Sequence, residues 1–283
     1  MNPLASLKHL VDTGLREALY ERIVTPELEE LFARMPKPVG SFGYDAWGYN
    51  ENSAKLAMGM IKWLYDHYFR VVAHGLENIP PNGRLLVVPN HSGQLPMDGV
   101  LTAYALATNP HGPRAARAMI ERFFPTVPWL GNWLNSIGAV IGDPLNCTKM
   151  LDQDEVIIVF PEGVRGSGKL YRQRYQLQRF GNGFMHLALQ HKAPIVPVGV
   201  VGCEETMPSL ANISPLAKLL GIPYVPVSPL LPLPARVYLN FGEPMMFDGN
   251  TESEDEVTAK VEQVKERIRE LIDRGLKERT KVY

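Results

Sequence analysis

Three short runs in this chain are almost continuously apolar: Arg84 to Val88 (RLLVV), Val156 to Phe160 (VIIVF) and Ile195 to Val201 (IVPVGVV). A strand with one wetted face alternates apolar and polar residues, whereas runs such as VIIVF must be covered on both faces. Segments with helical character lie between them, at Gly99 to Ala107, Trp129 to Asn135, Asn146 to Asp152 and Gly183 to Gln190. Further strands are expected at Ala115 to Ile120, Ile137 to Ile141 and Arg236 to Phe241. This alternation predicts an α/β fold, a mostly parallel central sheet flanked by helices.

The two ends of the chain read differently. Leu4, Leu7, Val11, Leu15 and Leu19 recur at helical spacing, and Pro36-Lys37-Pro38 with Gly40 then break the pattern. Ala57, Ile61, Leu64, Tyr65 and Tyr68 form a second helical stripe. These stripes either pack on the domain or form a membrane-surface pair, for which Trp63, Tyr65, Tyr68 and Phe69 with Lys55, Lys62 and Arg70 have the right chemistry. Residues 1–70 are therefore expected to be an N-terminal helical region and 71–283 an α/β domain. At the other end, Ser253 and Glu256 make a capping box ahead of an apolar face of Val257, Val261, Val264, Ile268, Leu271 and Ile272, which predicts a docked C-terminal helix. Pro208 to Pro234, rich in Pro and Leu, reads as an irregular excursion that shapes a pocket or a membrane contact.

Composition narrows the function. The net charge of the 283 residues is -1, so no global field favours nucleic acid and any anion must be held by a local cluster. Cys147 and Cys203, the two cysteines, have no metal-binding spacing and no disulfide framework, which fits a reducing compartment. The first residues lack the apolar core of a signal peptide, and no stretch reaches the ~20 apolar residues of a membrane span. The expectation is a cytoplasmic protein, peripheral on the inner face of a membrane.

Two segments carry candidate chemistry, each just past a predicted strand, where open α/β sheets build their sites. In the first, Asn90 to Gly99, His91 is suited to proton transfer near neutral pH, and Asp98 is the nearest carboxylate able to hold its other ring nitrogen. A histidine that ties down a loop and an aspartate that caps a helix would look the same. Ser92 lacks the G-x-S-x-G surroundings of a nucleophile. In the second segment, Glu162 and Gly163 precede Arg165, Gly166-Ser167-Gly168 and Lys169; Arg172, Arg174 and Arg179 follow. Leu170 after Lys169 breaks the P-loop pattern. Five cations and no acid from Arg165 to Arg179 suit either a phosphorylated ligand or a solvated basic loop.

The order Asn90-His91…Asp98, Phe160-Pro161-Glu162-Gly163-Val164-Arg165 and Ala193-Pro194-Ile195-Val196-Pro197-Val198 resembles the glycerolipid acyltransferase superfamily. Ser136 to Val140 falls where that family has its second block, and the likeness spans Gly75 to Glu243. The His-Ser-Gly-Gln-Leu-Pro-Met-Asp form is most similar to the branch with monoacylglycerol and diacylglycerol acyltransferase-like members. The resemblance implies O-acyl transfer from acyl-CoA or acyl carrier protein to a lipid hydroxyl, without an acyl-enzyme, cofactor or metal, as in phospholipid biosynthesis. It implies that His91 is the base, that Asp98 orients it, and that Glu162, Gly163 and Arg165 bind the acceptor, with Lys169 beside them. Gly138 or Gly163 is the expected source of an oxyanion-binding N–H.

Two departures from the family pattern stand out. Six residues rather than four separate His91 from Asp98, with Pro96 at the usual Asp position, and Val140 to Pro144 lacks the arginine that often binds phosphate. The competing readings are a hydrolase, thioesterase-like or with a metal on His91, Asp98 and Glu162, and a non-catalytic lipid-binding protein.

Overall fold

The computed structural model describes residues 20–35, 40, 43–92, 94–122, 124, 129–213, 215, 217 and 224–283; the Leu4 to Leu19 stripe lies outside them. Helices α1 (Pro26–Ala33) and α2 (Glu51–Trp63) precede the sheet, and α2 runs into a π-turn at Leu64–Tyr68. The strands are β1 (Val72–His74), β2 (Leu85–Pro89), β3 (Ala116–Ile120), β4 (Ala139–Ile141), β5 (Val156–Ile158), β6 (Ile195–Val201), β7 (Ala211–Asn212), β8 (Pro226–Val227) and β9 (Tyr238–Phe241). Between and after them lie α3 (Met97–Ala107), α4 (Leu130–Ser136), α5 (Pro144–Asp152), α6 (Val164–Ser167), α7 (Gly183–His191), α8 (Cys203–Thr206) and α9 (Glu254–Glu278).

Seven strands form one sheet in the order β1-β9-β6-β2-β5-β3-β4. The five from β6 to β4 are mutually parallel; β9 pairs antiparallel with β6 and parallel with β1. The expected mostly parallel α/β sheet is present. β2 shows why it is buried twice: Leu85 and Val87 point into one core cluster, with Leu101, Ala105 and Phe69, while Leu86 and Val88 point into the other, with Met150, Phe184 and Ile268. That is the two-residue period of a strand, with an apolar layer on each side.

The C-terminal helix docks as its pattern predicts. Ser253 Oγ accepts from Glu256 N at 3.4 Å, and Val257, Val261, Val264, Ile268, Leu271 and Ile272 are all buried. The Ala57 to Tyr68 stripe is buried in part: Ala57 is 4% exposed and the Tyr65 ring lies 4.7 Å from that of Tyr104, tilted by 41°. Lys55 is no surface cation, because it is buried between Glu29 at 2.6 Å and Glu51 at 2.8 Å. Trp63, in contrast, is 57% exposed. No described helix is long and apolar enough to cross a membrane.

Candidate functional site

The adjacent parallel strands β2 and β5, in register at Val87 and Ile158, end side by side and release the two chemistry-bearing loops next to each other. Asn90 fixes the first loop. Its side chain, fully buried, donates to Val200 O at 3.1 Å and accepts from Val200 N at 2.7 Å, copying a strand partner just beyond β2. A buried side chain making both bonds holds the next residue in place. That residue is His91.

His91 and Asp98 meet despite the longer spacing. Leu95 to Met97 turns the chain into α3, and Asp98, in its first turn, has no exposure. One oxygen of Asp98 accepts from His91 Nδ1 at 2.6 Å and Ser92 N at 2.7 Å; the other accepts from Gly99 N at 2.8 Å. A carboxylate only accepts, so Nδ1 carries the proton and Nε2 keeps its lone pair. Burial opposes an imidazolium here, but the Asp98 carboxylate, its hydrogen bond and Glu162 together outweigh that and hold His91 above the ordinary histidine range. The ring leans on Phe160 at 4.4 Å between centroids.

Glu162 is deeply placed. Its two oxygens accept from His91 N at 2.9 Å and Gln178 N at 2.7 Å, so it braces the backbone of His91 from behind. Lys169, 7% exposed, pairs with Glu204 at 2.7 Å and approaches Glu162 at 3.8 Å. Burial pushes the Glu204 carboxyl up to about 7, against the pull of that ammonium. Both predicted ligand contacts are thus spent inside the protein. Arg165 is exposed on α6, whose Val164 and Ser167 line the cavity described below. Among the described residues, no group of three or more His, Cys, Asp or Glu side chains could hold a metal ion.

Two glycines shape this wall. Gly163 adopts φ +54°, a region L side chains rarely enter, and lines the cavity. A Cβ on Gly166 would lie 2.6 Å from His91 Cβ and 2.7 Å from Glu162 Cβ. G166A is therefore expected to displace His91 and lower turnover by on the order of 100-fold, since about 1 Å of misplacement suffices. Thermal unfolding alongside steady-state rates will separate this from unfolding. The expected oxyanion donors need correction: Gly163 N donates to Phe160 O at 3.0 Å and Gly138 N to Asn135 O at 3.1 Å, so both amides are already used.

His91 opens into a cavity of about 620 Å³. Its walls are mainly apolar: Ala54, Ala57 and Ile61 of α2 face Ala103 and Tyr104 of α3 across it, with Ala116 and Ala118 of β3. Small side chains on facing helices leave the channel open. Burial pushes the phenols of two lining residues, Tyr49 and Tyr104, up to about 12, so both stay neutral. Sequence reading missed these two tyrosines and four further polar lining residues: Gln94, Glu121, Arg122 and Tyr224. Arg122 is paired with Asp143 at 3.0 Å. Ser92 is fully buried and does not line the cavity.

A family model described as Acyltransferase matches residues 70–201. An uncharacterized protein of Mycobacterium tuberculosis is 33% identical over 86% of this chain and 72% of its own length. The DGAT1/2-independent enzyme synthesizing storage lipids is 28% identical in Gallus gallus, over 72% of this chain and 61% of that protein. In Homo sapiens it is 26% identical, over 71% and 60%. The crystal structure of the 1-acyl-sn-glycerophosphate (LPA) acyltransferase PlsC from Thermotoga maritima superposes with a TM-score of 0.54 at 18% identity, over 82% of this chain and 83% of that one, a likeness of fold.

Proposed function

Given that this chain belongs to the glycerolipid acyltransferase superfamily and is an acyltransferase of lipid metabolism, we propose that it transfers a fatty acyl group from a coenzyme A or acyl carrier protein thioester to the hydroxyl of a neutral acylglycerol. The observation that carries the choice of acceptor is the state of the cations. Lys169 is buried in its pair with Glu204 and does not line the cavity, and the charged side chains among the described lining residues are His91, Glu121 and the paired Arg122. Among the described lining residues a phosphate would meet one cation, Arg122, exposed and already paired with Asp143, and an unpaired buried charge is strongly disfavoured. The storage-lipid enzymes among the relatives support the same acceptor class.

In this reading His91 Nε2 takes the acceptor's hydroxyl proton as that oxygen attacks the thioester carbonyl. The tetrahedral intermediate collapses, the C–S bond breaks, and the departing thiolate receives the proton from His91. Asp98 fixes the tautomer and steadies the transient imidazolium. Glu162 and Lys169 position the base, Gly163 forms part of the acceptor's wall, and Arg165 serves the phosphates of the donor's carrier. Residues 71–283 carry this chemistry, the helices before them complete the cavity, and the protein works at a membrane surface.

The test is acylation by the purified protein, with labelled acyl-CoA or acyl carrier protein, of monoacylglycerol, diacylglycerol, lysophosphatidate and glycerol phosphate. Neutral acceptors should outpace phosphorylated ones by on the order of 100-fold. Preferential acylation of lysophosphatidate would overturn the acceptor assignment. Free fatty acid as the main product would favour a hydrolase.

A further inference from the structure

From Met207 to Ala235 the chain holds seven prolines, no Asp or Glu, and one charged residue, Lys218. Proline lacks an N–H, so little ladder can form here, and β7 and β8 pair over two residues each. The exposed residues among those described in this stretch are apolar. Leu210 is 73% exposed, Leu230 98% and Leu231 76%, with Ile213 and Val227 beside them in sequence at 42% each. Single exposed leucines are ordinary, but a protrusion carrying five apolar side chains marks a contact surface.

The protrusion is tied down at its base. Tyr68 Oη donates to Pro232 O at 2.6 Å and Arg70 Nη2 to Pro234 O at 2.5 Å. Asn212 Nδ2 donates to Gly168 O at 3.1 Å, and Tyr171 N to Ser209 O at 2.8 Å. The leucines are therefore held outward by a fixed frame.

Three observations favour a lipid bilayer as the occupant. The Tyr171–Ser209 bond sets the exposed Arg172 and Arg174 next to Leu210, and apolar side chains beside cations are the chemistry of an anionic lipid interface. Trp63, half-exposed, lies 5.8 Å from the Tyr68 ring that holds Pro232, and such amphipathic aromatics suit the headgroup level. Tyr224, within the same excursion, lines the cavity that His91 opens into.

We propose that the protrusion bearing Leu210, Leu230 and Leu231, flanked by Arg172 and Arg174, inserts into an anionic membrane and seats the cavity mouth on it. This rests on the reading of the chain as an enzyme that draws its acceptor from a membrane, and it names the surface that does so.

Flotation with phosphatidylcholine vesicles, with and without phosphatidylglycerol, tests it on the full chain. L230E with L231E should lower partitioning by on the order of 100-fold, since both side chains are nearly bare and their replacement leaves the core intact. R172E with R174E should abolish the preference for phosphatidylglycerol and its sensitivity to salt. Both variants should still acylate a short-chain, water-dispersed acylglycerol at the wild-type rate. Wild-type vesicle binding by folded L230E/L231E would overturn the proposal. So would a wild-type dimer in sedimentation that these substitutions dissolve. Failure of the wild-type protein to acylate any acceptor would count against the transferase reading instead, and leave the flotation result to be judged separately.

Discussion

Replacing His91 with alanine is expected to lower kcat by about 10²- to 10⁴-fold, the usual contribution of a positioned general base. Structure should survive the change. The bond from His91 to Glu162 comes from the backbone amide, which alanine keeps, and Asp98 retains the amides of Ser92 and Gly99. Circular dichroism and thermal unfolding should therefore match the wild type while transfer collapses. Affinity for the acyl donor should hold, because the cavity walls are otherwise unchanged. A folded H91A protein with undiminished turnover would remove the proposed mechanism.

D98N should be comparably severe, with a signature that a merely structural role would lack. An asparagine amide can donate to Nδ1 and so favour the tautomer with its proton on Nε2, where the lone pair is needed. The analogous change in a serine protease triad costs on the order of 10⁴-fold. The proposed mechanism requires neutral His91, so kcat/KM should rise with pH through an apparent pKa above the ordinary histidine value of about 6.5. In D98N burial persists while the carboxylate is gone, so that acid limb should move to lower pH. The residual rate against pH checks this; an unmoved limb would mean that Asp98 does not govern the base. Linkage has the opposite sense. A raised folded pKa means the pair's stabilisation is complete below the unfolded value and is lost as pH rises through the folded one. The catalytically ready form is thus the one that gains less from the pair.

Much of this was legible in the sequence, for physical reasons. β6 occupies Ile195–Val201 as expected, because an uninterrupted apolar run of that length suits a central parallel strand. The capping box and apolar face of α9 are equally direct signals. β7 and β8 went unread because two residues carry no pattern, and β1 (VAH) because it lacks the continuous apolar run that marks β4 and β5 at the same three-residue length. In the site, the His91–Asp98 contact was anticipated, and the bend through Pro96 absorbs the extra spacing. The partners of Glu162 were not, since two are backbone amides, which leave no mark on residue type. Lys169 looked like a free cation because Glu204, which pairs with it, lies 35 residues further on. The oxyanion assignment to glycine turns failed because a turn's internal hydrogen bonds consume the same N–H groups.

The bracing of His91 by Glu162 also bears on when the site comes into being. That carboxylate joins segments 71 residues apart through His91 and a further 16 through Gln178, while Asn90 reaches Val200 over 110 residues. Contacts of such separation carry a loop-closure cost that is met before they contribute anything, so they belong to the slow, late part of folding. During synthesis His91 emerges well before Gln178 or Val200, with neither yet made to hold its backbone. In the proposed mechanism catalytic competence is consequently gained only after β6 has been made and inserted beside β2.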